Sequence, residues 1–315
     1  MKYCFGIDIG GTTVKIGLVS EKGEIVTRWE VPTRKGNDPT GLLEDVKASL
    51  EDCMAEKNIT KGDILGIGMA APGPVTADGV LHGCVNIGWG DVDLKGKAEE
   101  VIGISPVCIG NDARVATLGE AYFGAGKGAK SMLMVTLGTG VGGGVVLDGH
   151  ILMGESGVAG EIGHMTIDPY ETVSCSCGKK GCLEQYASAT GMVRAAERFL
   201  QERTDDSLLR QKESVSAKDL WDAAKAGDAL ANEITDFVCD RLGSALANAI
   251  YLVDTEQIVI GGGVCAAGQF LLDKIEKAYN GKVFAHSRNK TFALAKLGND
   301  AGIMGAAALI LQDAE

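Results

Sequence analysis

The sequence has no basic excess. Its 315 residues carry 30 Lys and Arg against 42 Asp and Glu, a formal net charge of −12. Nucleic acids and anionic membranes are bound by neutralising their phosphates, so this balance argues against either as a partner. A small phosphorylated ligand stays allowed, because backbone N–H groups can hold it. Long apolar runs are also missing. Met1–Gly10 carries Asp8 and has no stretch long enough for a signal peptide. The run Met132–Leu147 is short, interrupted by glycines, and reads as strands, not as a membrane span. A cytoplasmic location is the resulting expectation. The 45 glycines show no collagen-like period, so they are expected in turns and where backbone approaches a ligand.

What is present in quantity is cysteine, nine in all. Cys4, Cys53, Cys84, Cys108, Cys239 and Cys265 are scattered and read as small apolar residues of a reducing compartment. Cys175-x-Cys177-x4-Cys182 is different: three thiols within eight residues, broken by Gly178 and Gly181, with His164 eleven residues before. Three thiolates and an imidazole make a closed tetrahedral zinc set with no open position, hence a structural metal. Free cysteines or a disulfide are the alternatives, but close spacing with Gly and Lys between is not a core pattern.

Along the chain, Tyr3–Ile9 and Val14–Val19 read as strands around a turn, Gly10-Gly11-Thr12. Leu42–Lys57 has helical spacing, with Leu43, Val46, Leu50 and Met54 on one face. Ile64–Met69 and Val107–Ile109 are apolar strands, and Asn111-Asp112 opens a helix over Ala113–Tyr122. Met132–Leu137 is a buried strand, followed by a Gly-rich turn over Gly138–Gly144 and a strand at Val145–Leu147. At an offset of 128 residues this segment lines up with the N-terminus, Gly10 meeting Gly138, which hints at two related lobes, coincidence between two ordinary hairpins being the alternative. Beyond residue 183 helices are expected at Leu183–Glu202, Ala217–Ala226, Ala229–Leu252, Phe270–Tyr279 and Ala301–Gln312. A strand is expected at Ile258–Ile260 before Gly261-Gly262-Gly263, and an exposed connection at Arg203–Ser216.

Several familiar nucleotide motifs nearly fit and fail. Gly124–Ser131 approximates a Walker A loop, but Ala129 replaces its second glycine and a strand follows. Gly138-x-Gly140-x-x-Gly143 has dinucleotide spacing, again ahead of a strand, so no helix N-terminus is there to hold a pyrophosphate. Gly261-x-Gly263-x-x-Ala266 lies between strand and helix, yet Gly281–Arg288 offers no acidic residue for a ribose. Split phosphate loops fit better: Asp8-x-Gly10-Gly11-Thr12 combines donors to phosphate with a carboxylate for Mg²⁺. A tight hairpin without ligand is the plainer reading of one such turn, and it weakens with two more Gly turns in the chain.

These residues resemble the ROK family of sugar kinases and repressors. The carriers are Asp8–Thr12, Asn111-Asp112, Leu137–Gly144, Gly160-Glu161-x-Gly163-His164, Cys175-x-Cys177-Gly178-x-x-Gly181-Cys182-x-Glu184, and Gly261-Gly262. The resemblance implies an α/β, two-lobed, actin-like (ribonuclease H-like) ATPase and sugar kinase fold with a structural zinc loop. It implies a small N-terminal domain over 1–112, with a helix at 300–315 packing back on it, and a larger domain over 113–299. Asp112 is then the base for a sugar 6-hydroxyl. Asn86, Asn111, Glu161, His164 and Glu184 contact the sugar. Asp8, Gly10, Gly11, Thr12, Gly138, Thr139, Gly140, Gly261 and Gly262 hold ATP and Mg²⁺, and His164, Cys175, Cys177 and Cys182 hold Zn²⁺. The implied activity is ATP-dependent phosphorylation of glucose, with N-acetylmannosamine, N-acetylglucosamine, fructose and allose as alternative acceptors, in a homodimer. A sugar-sensing regulator is the other reading. With the first strand read at Tyr3, no winged helix is expected ahead of it, and a dead sensor is expected to lack Asp112.

Overall fold

Hydrophobic alternation and continuous apolar runs build two sheets. The computed structural model describes residues 1–84 and 87–312. In the first sheet β1 (Tyr3–Ile9) pairs antiparallel with β2 (Thr13–Ser20), and β2 with β3 (Ile25–Pro32). On its other side β1 runs parallel to β4 (Ile64–Ala71). Central strands are buried on both faces, whereas β3 alternates half-buried and exposed, as an edge strand should. α1 (Thr40–Lys57) buries Leu42, Leu43, Val46 and Leu50 in one core with Phe5, Ile7 and Ile9. A short ribbon, β5 (Val80–Leu81) and β6 (Val92–Asp93), leads into α2 (Leu94–Ile102), whose first turn is capped by Asp93 accepting from the Gly96 N–H. β7 (Val107–Asn111) lies parallel to β4 and runs straight into α3 (Asp112–Phe123).

The second sheet repeats the plan. It contains β8 (Ser131–Leu137), β9 (Val141–Leu147), β10 (His150–Ile151), β11 (Gln257–Gly261) and β12 (Thr291–Leu294). The first sheet has the order β3-β2-β1-β4-β7 and the second β10-β9-β8-β11-β12. Renumbered within each sheet, both read 3-2-1-4-5, and β11 is parallel to β8 as β4 is to β1. Helices surround this half: α4 (Glu184–Ala187), α5 (Ala189–Glu202), α6 (Ala217–Lys225), α7 (Ala229–Val253) and α8 (Gln269–Asn280). By internal contacts the chain forms two units, residues 1–128, 144–159 and 296–315, and residues 129–143 and 160–295.

The last helix, α9 (Ala301–Leu311), is apolar on every side and almost wholly buried in the first unit. It meets the sheet and α3 backbone to backbone. A methyl at Gly68 would collide with the Ala306 carbonyl, and one at Gly305 with the Val115 carbonyl. Overpacking of this kind typically costs about 1–3 kcal/mol, so these glycines are fixed by contact distance.

Two expectations need correction. The turn after β8 spans only Gly138–Gly140, and the strand resumes at Val141. Gly143 sits inside that strand because a side chain there would press on the carbonyls of Gly160 and Met134. The single helix expected over Leu183–Glu202 breaks at Ser188, whose backbone is extended and whose hydroxyl accepts from the Gly191 N–H to start α5. Among the described residues no helix is long and apolar enough to cross a membrane.

Candidate active site

In the first unit, Asn111 ends β7 and caps α3. Its Oδ1 accepts from the N–H groups of Ala113 (3.1 Å) and Arg114 (3.3 Å). Its Nδ2 donates to the Gly73 carbonyl (3.1 Å) and to Asp112 Oδ1 (2.9 Å). An amide offers two hydrogens and two acceptor positions, so the capacity of Asn111 is spent within the chain. Asp112 Oδ1 also accepts from the Ala113 N–H at 2.8 Å. Among the described residues, the hydrogen bonds other residues give this carboxylate all fall on Oδ1, and Oδ2 receives none of them. Solvent reaches Asp112, yet protein crowds the carboxyl, and this burial pushes its pKa up against the pull of the Ala113 N–H.

Asp8, near the end of β1, is half-buried beside the N-terminal turn of α9, where a side chain at Gly302 would strike its carboxyl. Burial pushes the Asp8 pKa up; Lys15, its partner across the hairpin, opposes the rise, and the charge of Asp112 adds to it. The turn that follows is held by the Gly10 N–H on the Thr13 carbonyl (3.0 Å) and by the Thr33 hydroxyl on the Gly10 carbonyl (2.6 Å).

In the second unit the turn Gly138–Gly140 is pinned from three sides. The Gly138 carbonyl accepts from the Ala189 N–H (2.8 Å), and the Thr139 carbonyl from the Thr190 hydroxyl (3.2 Å). The Val141 N–H donates to Glu184 Oε2 at 3.0 Å. A cavity of about 520 Å³ opens beside this turn. Gly138, Thr139 and Gly263 line one part, Val264, Ala267 and Trp221 give apolar wall, and Ser216, Lys218 and Asp222 supply polar groups. Gly261 and Gly262 join β11 to the short 3-10 turn Gly263–Ala267. The α6 residues of this cavity escape sequence reading, since Trp221, Lys218 and Asp222 form no motif and only folding brings them to the glycines.

The cysteine loop closes on His164. Glu161, half-buried, precedes the 3-10 turn Ile162–His164, and its carbonyl accepts from the His164 N–H at 3.1 Å. The Cys175 N–H donates to the Lys179 carbonyl and the Gly178 N–H to the Cys175 carbonyl, so the chain doubles back within five residues. Cys177 and Cys182 sulfurs lie 3.6 Å apart, and Cys175 Sγ is 3.9 Å from His164 Nδ1. All four ligand atoms fall within 4.8 Å of one another. A tetrahedron with Zn–S bonds of about 2.3 Å has edges of about 3.8 Å, whereas a disulfide needs about 2.05 Å. The donor set therefore fits zinc and not a disulfide. Burial pushes the Cys182 thiol up to about 12, while the Lys179 N–H holds Cys177 below its usual value. A cation at their centre supplies the charge that three adjacent thiolates require. His164 meets the sulfurs through Nδ1, which leaves Nε2 on the other side of the ring.

The sequence-predicted residues thus fall into two groups. Asp8, Gly10–Thr12, Asn111 and Asp112 belong to the first unit, and Gly138–Gly140, Glu161, His164, the three cysteines, Glu184, Gly261 and Gly262 to the second. Asn86 lies outside the described residues.

Comparison with known proteins gives a consistent picture. A glucokinase of Halalkalibacterium halodurans is 42% identical over 316 residues, covering 99% of this chain and 96% of the relative. The crystal structure of a ROK hexokinase from Thermus thermophilus superposes with a TM-score of 0.83 at 31% identity, over 99% of both chains. A ROK family glucokinase from Streptomyces griseus, solved in complex with glucose and AMPPNP, gives 0.76 at 32% identity, over 98% of this chain and 99% of that one. The fold is the actin-like α/β fold of these sugar kinases. The ROK family model matches residues 4–313, through both sheets and the metal cluster, and the chain belongs to the ROK family.

Proposed function

We propose that the chain is a hexose kinase that transfers the terminal phosphate of ATP to the 6-hydroxyl of glucose. The observation that carries this reading is the clamp on Asp112. One carboxylate oxygen is tied to Asn111 and Ala113, and the other remains for a proton. Asp112 takes the hydroxyl proton as the sugar oxygen attacks the γ-phosphorus. The bond from that phosphorus to the β-phosphate oxygen breaks, and ADP and the 6-phosphate ester leave. The chemistry asks mainly for positioning and charge stabilisation. Each unit offers one Gly-rich turn as a proposed phosphate binder, Gly10–Thr12 in the first and Gly138–Gly140 in the second, and Asp8 is the carboxylate proposed for an ATP-bound Mg²⁺. The apolar wall at Val264, Ala267 and Trp221 suits an adenine ring. Glu161, His164 Nε2 and Glu184 are the sugar contacts, braced by zinc at His164, Cys175, Cys177 and Cys182. Asn111, its capacity spent, acts by orienting Asp112. Support for glucose comes from the glucokinase relatives.

Asp112→Asn tests the reading. The variant keeps size and the hydrogen bond to Ala113 but accepts no proton. Turnover is expected to drop by about 10²–10⁴-fold, with glucose affinity by calorimetry nearly unchanged. A base works only when ionised, so wild-type kcat should fall as pH drops through the raised pKa of Asp112, above the ordinary carboxylate range. A variant with near-normal kcat, or a wild type whose acid limb lies at or below that range, places the base elsewhere.

A further inference from the structure

The metal loop and the Gly138–Gly140 turn share one side chain. Glu184 stands at the start of α4, two residues past the zinc ligand Cys182. Its Oε2 accepts from the Val141 N–H at 3.0 Å, the first residue after the turn, and leaves no room for a side chain at Gly140. Its Oε1 accepts from the Ser176 hydroxyl at 3.0 Å. Ser176 sits between the ligands Cys175 and Cys177, so its position follows from the shape of the metal loop. The Glu184 carbonyl accepts from the Ser188 hydroxyl, and the next two residues, Ala189 and Thr190, hold the Gly138 and Thr139 carbonyls. Every hydrogen bond to the turn and to Val141 from outside β8 and β9 comes, among the described residues, from this stretch.

We propose that Ser176 and Glu184 connect the metal cluster to the nucleotide turn, so that metal loading and ATP binding favour one another. This rests on the reading of Gly138–Gly140 as a phosphate-binding turn. Ser176 is a positioning residue. Its hydroxyl holds the Glu184 carboxylate that holds the turn. The coupling is reciprocal by thermodynamic necessity: whatever loading does for nucleotide affinity, nucleotide does for metal affinity. A metal loop that braced only the sugar contacts would leave nucleotide binding in the absence of sugar untouched.

The test uses the full-length, zinc-loaded protein and a non-hydrolysable ATP analogue, by calorimetry without sugar. Ser176→Ala removes the hydroxyl and keeps all four ligands. Analogue affinity is expected to fall about tenfold, the scale of one hydrogen bond to a charged group, with zinc content and melting temperature unchanged. Ser176→Thr should restore it. Glu184→Gln should show a similar loss, and the double variant little more, as expected for one shared interaction. The analogue should also slow zinc release to a chelator in the wild type and less so in Ser176→Ala. Unchanged analogue affinity with full zinc content overturns the coupling and leaves the kinase reading standing. Loss of zinc from Ser176→Ala overturns it too, since the serine would then serve the metal directly. A wild type that binds no analogue removes the kinase reading, and the coupling with it.

Discussion

Gly138 and Gly262 look alike in the sequence and are there for different reasons. Gly262 has φ +88°, and a side chain on it would collide with the Leu137 carbonyl, so the protein itself demands glycine. Around Gly138, among the described residues and apart from its own chain neighbours, no protein atom lies within 4 Å of where a side chain would begin. On the kinase reading, that space is kept clear for a phosphate. Gly138→Ala should therefore leave the melting temperature unchanged and raise the KM for ATP on the order of tenfold or more, as hydrogen bonds to a charged group are lost. The KM for sugar should barely move. Equal effects on both substrates, or a lowered melting temperature, would mean the glycine serves the fold. Glu120 shows the opposite case. It is fully buried with no cation against it in any ion pair among the described residues, and its carboxylate accepts from the N–H groups of Ala125, Lys296 and Leu297. Nothing in the local sequence announces that role, because two of these partners are some 176 residues away.

The cysteine loop is the element whose sequence says most. Its spacing, its two glycines and His164 suffice to propose the ligand set, and the four side chains come together in the structure. The reason is local: three ligands lie on one tight loop, so few long-range contacts are needed to assemble them. Cys177→Ser should lose the metal, with about one zinc per chain in the wild type by elemental analysis. The sugar KM should rise strongly, because His164 and the Glu161 that precedes it lose their anchor, and nucleotide affinity should fall through Glu184. A zinc-free variant that binds sugar normally would separate the metal from the site. Elements without such local punctuation are harder to read. β3 and α2 stand out only once the fold is known, although both carry periodicity: Ile25, Thr27, Trp29 and Val31 alternate, and Leu94, Ala98 and Ile102 are spaced by four. The strand glycines of β9 read as turn because glycine signals a turn by default, and only packing explains two of them, Gly143 against Gly160 and Met134 and Gly144 against Thr117.

At the scale of the molecule, the repeat is legible in the sequence as an offset. β1 and β8 begin at residues 3 and 131, and β2 and β9 at 13 and 141, the same 128-residue step. The matching strand orders turn that hint into a duplicated architecture. The cavity beside Gly138 is not legible, since its walls come from α6 and from the segment after β11, far apart in the chain. Acceptor identity is least legible of all, because it depends on whether each buried polar group meets its own hydroxyl. The most direct measurement is phosphate transfer itself: purified protein with Mg²⁺ and ATP against glucose, fructose, allose, N-acetylglucosamine and N-acetylmannosamine, following ADP formation and identifying the sugar phosphate by mass spectrometry. Stoichiometric glucose 6-phosphate, with glucose giving the highest kcat/KM of the panel, is the predicted result. Sugar binding without ADP formation for any member of the panel would contradict it and leave a sensor in place of a kinase.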